Sequence, residues 1–419
     1  MEKWKHILSY LPVLGLLMVI SAIPYGWSVY QRVGCIVLVG GYVFDYVANS
    51  RWTTLQWRPT HWIYVLMILL YLMFPLRQLF DATPPTDYFL RLQHRQEWFL
   101  FTGVVGLLGF SDKLKWQYVA YVMLLTSVVM AFHCGYLYWF TDEFDYCAPS
   151  LRFDLLRFTH IHSHMVMNLY INAALAFGFC CLMERRAWWQ QALLIAAMGV
   201  SWLVVLFSAG RIGIAASLLI VGIGSVYLLY RWNKRAGILI AAAAVVGISL
   251  AVWQRPAMSL DNLQQDPRLA IWDYSVRMAK EKPVFGYGMS TLSVEYVEGA
   301  YNDSVMYNGF VQRVIEQMLI FNVQGKTMET HHPHNAFLTY WLAFGVGGVL
   351  LLVALFVLAA CLPVGERRVF LWLFLLALLM QCMTEPVGSH LLPQFIAVML
   401  FVWERMSASH PKEPILFCL

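Results

Sequence analysis

The sequence predicts an all-α polytopic membrane protein, and three observations carry that prediction. Of 419 residues, 60% are hydrophobic and only 13% charged, with a mean hydropathy of +0.60, whereas soluble chains carry about 25% charge. The apolar residues gather in blocks of roughly 16–26, the length that crosses a ~30 Å hydrocarbon layer as a helix. The turns between blocks alternate between basic and mixed or acidic, as loops on opposite sides of a membrane do. The ~10-residue alternation of a membrane barrel is absent.

About twelve spans follow in order: 8–23, 31–48, 62–76, 98–110, 117–139, 165–183, 188–208, 212–230, 236–253, 336–361, 369–383 and 391–403. Lys3 and Lys5 before the first block suggest a signal peptide, but no small-residue cleavage site follows, so it is kept as a helix. With the N-terminus cytoplasmic, the inside turns hold Arg51 and Arg58, Lys113 and Lys115, Arg185 and Arg186, then Arg231, Lys234 and Arg235, and finally Arg367 and Arg368. The outside turns hold Asp142, Glu143 and Asp145 in one place and Thr384-Glu385-Pro386 in another. The formal charge of +5 thus reflects orientation, and no basic stripe interleaved with aromatics suggests a nucleic acid. Eight cysteines form no framework; a Cys134–Cys147 pair is conceivable, with small buried hydrophobes the better reading.

The chain divides into spans one to nine (1–254), a large outer loop (255–335), spans ten to twelve (336–406) and a cytoplasmic tail (407–419). A loop of about eighty residues is uncommon unless functional. Within it, 267–280 places Leu269, Trp272, Val276 and Ala279 at helical spacing, and Pro283-Val284-Phe285-Gly286-Tyr287-Gly288 breaks the pattern. A second helix is expected near 308–321, the two forming a small subdomain on the outer face.

Titratable chemistry concentrates on that face. His331-His332-Pro333-His334-Asn335 stands where the loop enters the tenth span. Imidazole titrates near neutrality, so His334 is the leading candidate for proton chemistry, against a bland reading as an interfacial anchor. Pro333 discourages helix at His332, so the helix is expected to start at about His334 or Asn335, with Asn335 as a possible cap. Arg211, in Phe207-Ser208-Ala209-Gly210-Arg211-Ile212-Gly213, is an outside arginine at a helix start. A diphosphate suits that position, since helix dipole, free N–H groups and guanidinium all favour an anion; snorkelling to lipid phosphate competes. Arg268, with Arg277 as an alternative on the same helix, offers another cation over the membrane mouth, against a surface ion pair. His160, His162 and His164 invite a metal, but no nearby carboxylate completes a zinc signature. Substrate or headgroup contact and helix-entry packing remain open for them. Asn168, Tyr170 and Asn172 are polar in an apolar span and suit hydrogen bonds between helices.

Taken together, these residues resemble the O-antigen ligase and polymerase superfamily. The resemblance rests on the long outer loop between the ninth and tenth helices, His332-Pro333-His334-Asn335 entering the tenth, and Arg211 opening a helix after a short outer turn. It extends to Arg268 with Trp272 ahead of the Pro-x-x-Gly-x-Gly segment, and the His-rich entry to the sixth helix looks like that of some lipopolysaccharide ligases. The turn reads Ala-Gly-Arg where Thr-Arg or Ser-Arg is common. The resemblance implies a GT-C-type glycosyltransferase of the bacterial inner membrane, facing the periplasm. Its donor would be a glycan on undecaprenyl diphosphate and its acceptor a sugar hydroxyl of lipid A-core, transferred with inversion and with no metal or other cofactor. On that pattern His334, Arg211 and Arg268 carry the chemistry, and His332, Asn335, His160, His164, Arg277 and Trp272 contact substrate or membrane lipid. Polymerase and protein O-glycosylating members differ in acceptor. A transporter of lipid-linked glycan would instead show midplane charges and paired broken helices.

Overall fold

A computed structural model of the chain describes residues 2–25, 28–50, 57–81, 87–140, 164–184, 186–206, 208, 211–235, 267–288, 333–384 and 392–408. Among them the regular structure is helical: α1 (Glu2–Leu8), α2 (Leu11–Ala22), α3 (Ser28–Ala48), α4 (Trp62–Gln78), α5 (Asp87–Leu108), α6 (Trp116–Phe140), α7 (His164–Leu182), α8 (Trp188–Leu206), α9 (Arg211–Trp232), α10 (Pro267–Glu281), α11 (Ala336–Phe344), α12 (Val346–Ala360), α13 (Arg368–Cys382) and α14 (Leu392–Ala408), with 3-10 turns at Pro59–His61 and Gly365–Arg367. Among the described residues, six stretches, beginning at Trp4, Pro59, Trp116, Met165, Trp188 and Ile212, are long and apolar enough to cross a membrane. The protein is a multi-pass helical membrane protein. The expected ninth span, 236–253, the second loop helix at 308–321 and Cys147 lie outside the described residues.

The centre is built from helices surrounded on all sides, of which α7 is apolar nearly all round, the pattern of such a span. α7 and α14 are buried along nearly their whole lengths. Large rings fill the space between them and α13. Phe177 stacks on Trp403 at 4.7 Å, and Phe374 lies 6.2 Å from Phe395 and 6.3 Å from Trp403.

The basic turns collect at one end of the bundle. Glu184 pairs with Arg186 at 2.6 Å and Arg367 at 3.6 Å, Arg231 with Glu366 at 2.5 Å, and Arg405 with Asp112 at 3.8 Å. Nearby, Thr60 and Tyr64 each donate at 2.6 Å to the buried Glu404 carboxylate, joining α4 to α14.

The run 336–361, expected as one span, is two helices. α11 stops at Phe344, Gly345 takes φ +69, and α12 begins at Val346. Phe337 then packs on Phe356, ring centroids 6.4 Å apart. In a continuous helix those positions, nineteen residues apart, would be separated by about 28 Å. The chain therefore reverses at Gly345, and α11 lies back against α12. The Pro283–Gly288 turn docks on the break. The Tyr287 and Gly288 amides donate to the Leu342 and Ala343 carbonyls at 2.6 and 3.1 Å, and the Val346 amide donates to Pro283 O at 2.9 Å. A Cβ on Gly345 would run into the Val284 carbonyl, so only glycine fits there.

Candidate functional site at the far end of the bundle

Opposite the basic end, three helix termini come to one level. Phe370 of α13 lies 5.5 Å from Phe179 of α7 and 5.7 Å from Tyr227 of α9. Counting from there at 1.5 Å per residue, His164 is about 22 Å along α7, Arg211 about 24 Å along α9 and Met383 about 20 Å along α13. The starts of α7 and α9 and the end of α13 thus agree to within about 5 Å along the bundle.

The histidine turn reaches this level through Asn335. Its side chain accepts from the Leu338 amide at 3.1 Å, capping α11 as the sequence suggested, and its Nδ2 lies 3.9 Å from Met383 Sδ. Asn335 is 3% exposed. The helix itself begins one residue later, at Ala336. His334 has φ +48, the left-handed region that residues with a Cβ seldom enter, and its Nε2 is buried. Trp272 Nε1 donates to Pro333 O at 3.0 Å, fixing the turn from the α10 side.

α10 docks on α11, but through a different face from the expected one. Ile271, Tyr274, Ser275, Met278 and Ala279 are buried, whereas Leu269 is 46% exposed and Trp272 and Val276 are half-buried. Of the anticipated stripe only Ala279 is in the core. Both stripes satisfy helical spacing, and contact with α11 decides between them. Tyr287 then ties the end of α10 to the docked turn, its hydroxyl donating to Glu281 at 2.7 Å with Met278 O 3.2 Å away. Arg77, paired with Asp81 at 3.3 Å, reaches Gly286 O at 3.4 Å. The Arg77-x-x-x-Asp81 spacing was a signal for this pair that sequence reasoning left unused.

Arg211 is the first residue of α9. The opening of that helix is held by two asparagines of α7, in accord with the expected interhelical bonds. Asn168 Nδ2 donates to Ser208 Oγ at 2.8 Å and Asn172 Nδ2 to Gly213 O at 3.0 Å. Gly213 permits this approach, since a Cβ there would lie 2.5 Å from Asn168 Cβ. Four N–H groups at such a start lack intrahelical partners, which makes the end electropositive.

The remaining candidates separate clearly. Arg268 stands one helical turn before Trp272 in α10. Arg277 is exposed, pairing with Asp273 at 2.9 Å and lying 5.9 Å from the Tyr274 ring, which is the surface-pair reading. Trp272 spends its only donor on Pro333. His164 opens α7, while His160, His162, His331 and His332 lie outside the described residues. An apolar cleft between α7, α8 and α9, lined by Phe179, Met198, Trp202, Val221 and Trp232 among others, carries no titratable side chain.

Residues 196–353 match the family model described as O-antigen ligase. The matched stretch contains Arg211, α10, the docked turn, the histidine turn and the break at Gly345. No curated protein matches the chain.

Proposed function

We propose that the protein is a lipopolysaccharide O-antigen ligase of the bacterial inner membrane, active at its periplasmic face. The donor is a glycan on undecaprenyl diphosphate and the acceptor a sugar hydroxyl of lipid A-core. His334 deprotonates or orients the acceptor hydroxyl. Its oxygen attacks the anomeric carbon, a new glycosidic C–O bond forms on the opposite face, and the bond to phosphate breaks. Arg211, with the free amides of α9, and Arg268 stabilise the departing diphosphate, an already activated leaving group that needs charge stabilisation more than a proton. No metal is called for, and the basic end faces the cytoplasm.

The observation that supports the reading is that the His334–Asn335 turn, beside Met383 at the end of α13, and the opening of α9 stand at the same end of the bundle, opposite the basic turns. The family match over the same segments agrees with it at the level of the superfamily. The test is His334→Ala, purified and assayed with both lipid substrates in the presence of a chelator. Transfer should fall about 10²- to 10⁴-fold with the protein folded. Full activity would sink the mechanism. Donor elongation in place of transfer to lipid A-core would reassign the protein to the polymerases, and transfer to a polypeptide to the protein-glycosylating members. Activity that needs a divalent ion would revive the metal reading of His160, His162 and His164.

A further inference from the structure

We propose that Trp272 is a positioning residue for His334, acting through the Pro333 carbonyl, and that residues 267–288 form the frame that keeps His334 in its left-handed backbone conformation. The inference rests on the assignment of His334 to the acceptor hydroxyl. An indole has one hydrogen-bond donor, and here it goes to Pro333 O at 3.0 Å. That oxygen belongs to the peptide unit entering His334, so holding it fixes the plane about which φ of His334 turns. On the other side of His334, Asn335 is fixed by its bond from the Leu338 amide and by Thr339, whose hydroxyl donates to Asn335 O at 2.8 Å. A left-handed residue with a Cβ costs about 1–2 kcal/mol. It stays in place here between a peptide unit held by Trp272 on one side and the anchored residue Asn335 on the other.

The same segment also grips the other end of α11. Tyr287 and Gly288 donate to Leu342 and Ala343, and Trp341 Nε1 donates to Pro283 O at 3.3 Å. α10 and its turn therefore bracket α11 at both termini, and a rotation of α11 that moves His334 would break these bonds. Arg268, one turn ahead of Trp272, rides on that frame.

Trp272→Phe keeps a ring and removes the donor. Transfer should show kcat lower by about ten- to a hundredfold, with KM for both lipid substrates unchanged. In a His334→Ala background the same change should add less than about twofold, because a residue acting only through His334 has nothing left to position. A structural role would multiply through instead. If Trp272→Phe fails to fold, 3-benzothienylalanine at position 272, which keeps the bicyclic shape without the N–H, decides the matter in the same assays. Wild-type kcat in either variant, a raised donor KM at unchanged kcat, or multiplicative losses in the double variant would overturn the proposal. His334→Ala at full activity would instead defeat the underlying assignment, so the two failures are distinguishable.

Discussion

His334 is a residue whose backbone is unfavourable by itself. Among the described residues, Ser50 and His334 are the non-glycines with positive φ. Ser50 follows the end of α3, where left-handed residues are common as helix stops. His334 precedes a helix, so no such rule accounts for it, and strain of this sort persists where the surroundings over-determine it. The consequence is a separation of stability from activity. His334→Gly should unfold at the same temperature or higher, by up to about 1 kcal/mol of relieved strain, while transfer is lost. A variant both less stable and inactive would point to an imidazole that serves packing. Asn335 makes the complementary case. Asn335→Asp keeps the acceptor for Leu338 N, whereas Asn335→Ala removes the cap and should cost about 1 kcal/mol in thermal unfolding. Equal stabilities would mean that the cap contributes nothing.

At the scale of elements, two close approaches position the site, and each has an internal control. Gly213 of α9 lies against Asn168, while a Cβ added to Gly222 on the same helix would meet nothing within 4 Å. Gly213→Ala should displace the start of α9 and raise the KM for donor, and Gly222→Ala should leave transfer intact with helix stability equal or better. Identical effects would detach the α7 contact from donor binding. Likewise, Gly345→Ala forces a Cβ onto the Val284 carbonyl at φ +69, whereas Gly347 is open. The first should lower the unfolding temperature by the equivalent of at least about 1–2 kcal/mol and the second little, if the docked turn is what reverses the chain. These elements also mark the limits of sequence reading. Asn335 as a cap and Arg211 as a helix opener were legible because each depends on a few neighbouring residues, and the Asn168 and Asn172 bonds because a polar side chain in an apolar span needs a partner on another helix. The reversal at Gly345 was not, because hydropathy records that 336–361 is apolar and is blind to its direction. Its only local trace was Gly345-Val346-Gly347-Gly348. The buried face of α10 was misread for the same reason: two stripes fit the period, and a partner sixty residues away selects one.

At the scale of the whole molecule, the charge asymmetry read from the turns corresponds to a physical grouping. Glu184, Arg186, Arg231, Glu366 and Arg367 pair with one another across the turns that follow α7, α9 and α12. The His334 turn and the starts of α7 and α9 are at the opposite end. Orientation is therefore one binary question, since a single inversion would move every candidate residue together. If the basic end is cytoplasmic, Asn233 just past α9 lies inside and Asn302, in the large loop, lies in the periplasm. Single cysteines at these two positions, in a cysteine-free background that still transfers glycan, should respond oppositely to an impermeant maleimide on intact spheroplasts. Asn302→Cys should label at once, and Asn233→Cys only after the membrane is opened. The reverse pattern would put His334 and Arg211 on the cytoplasmic side, away from a periplasmic acceptor, and the ligase reading would fall even if every local contact around His334 held.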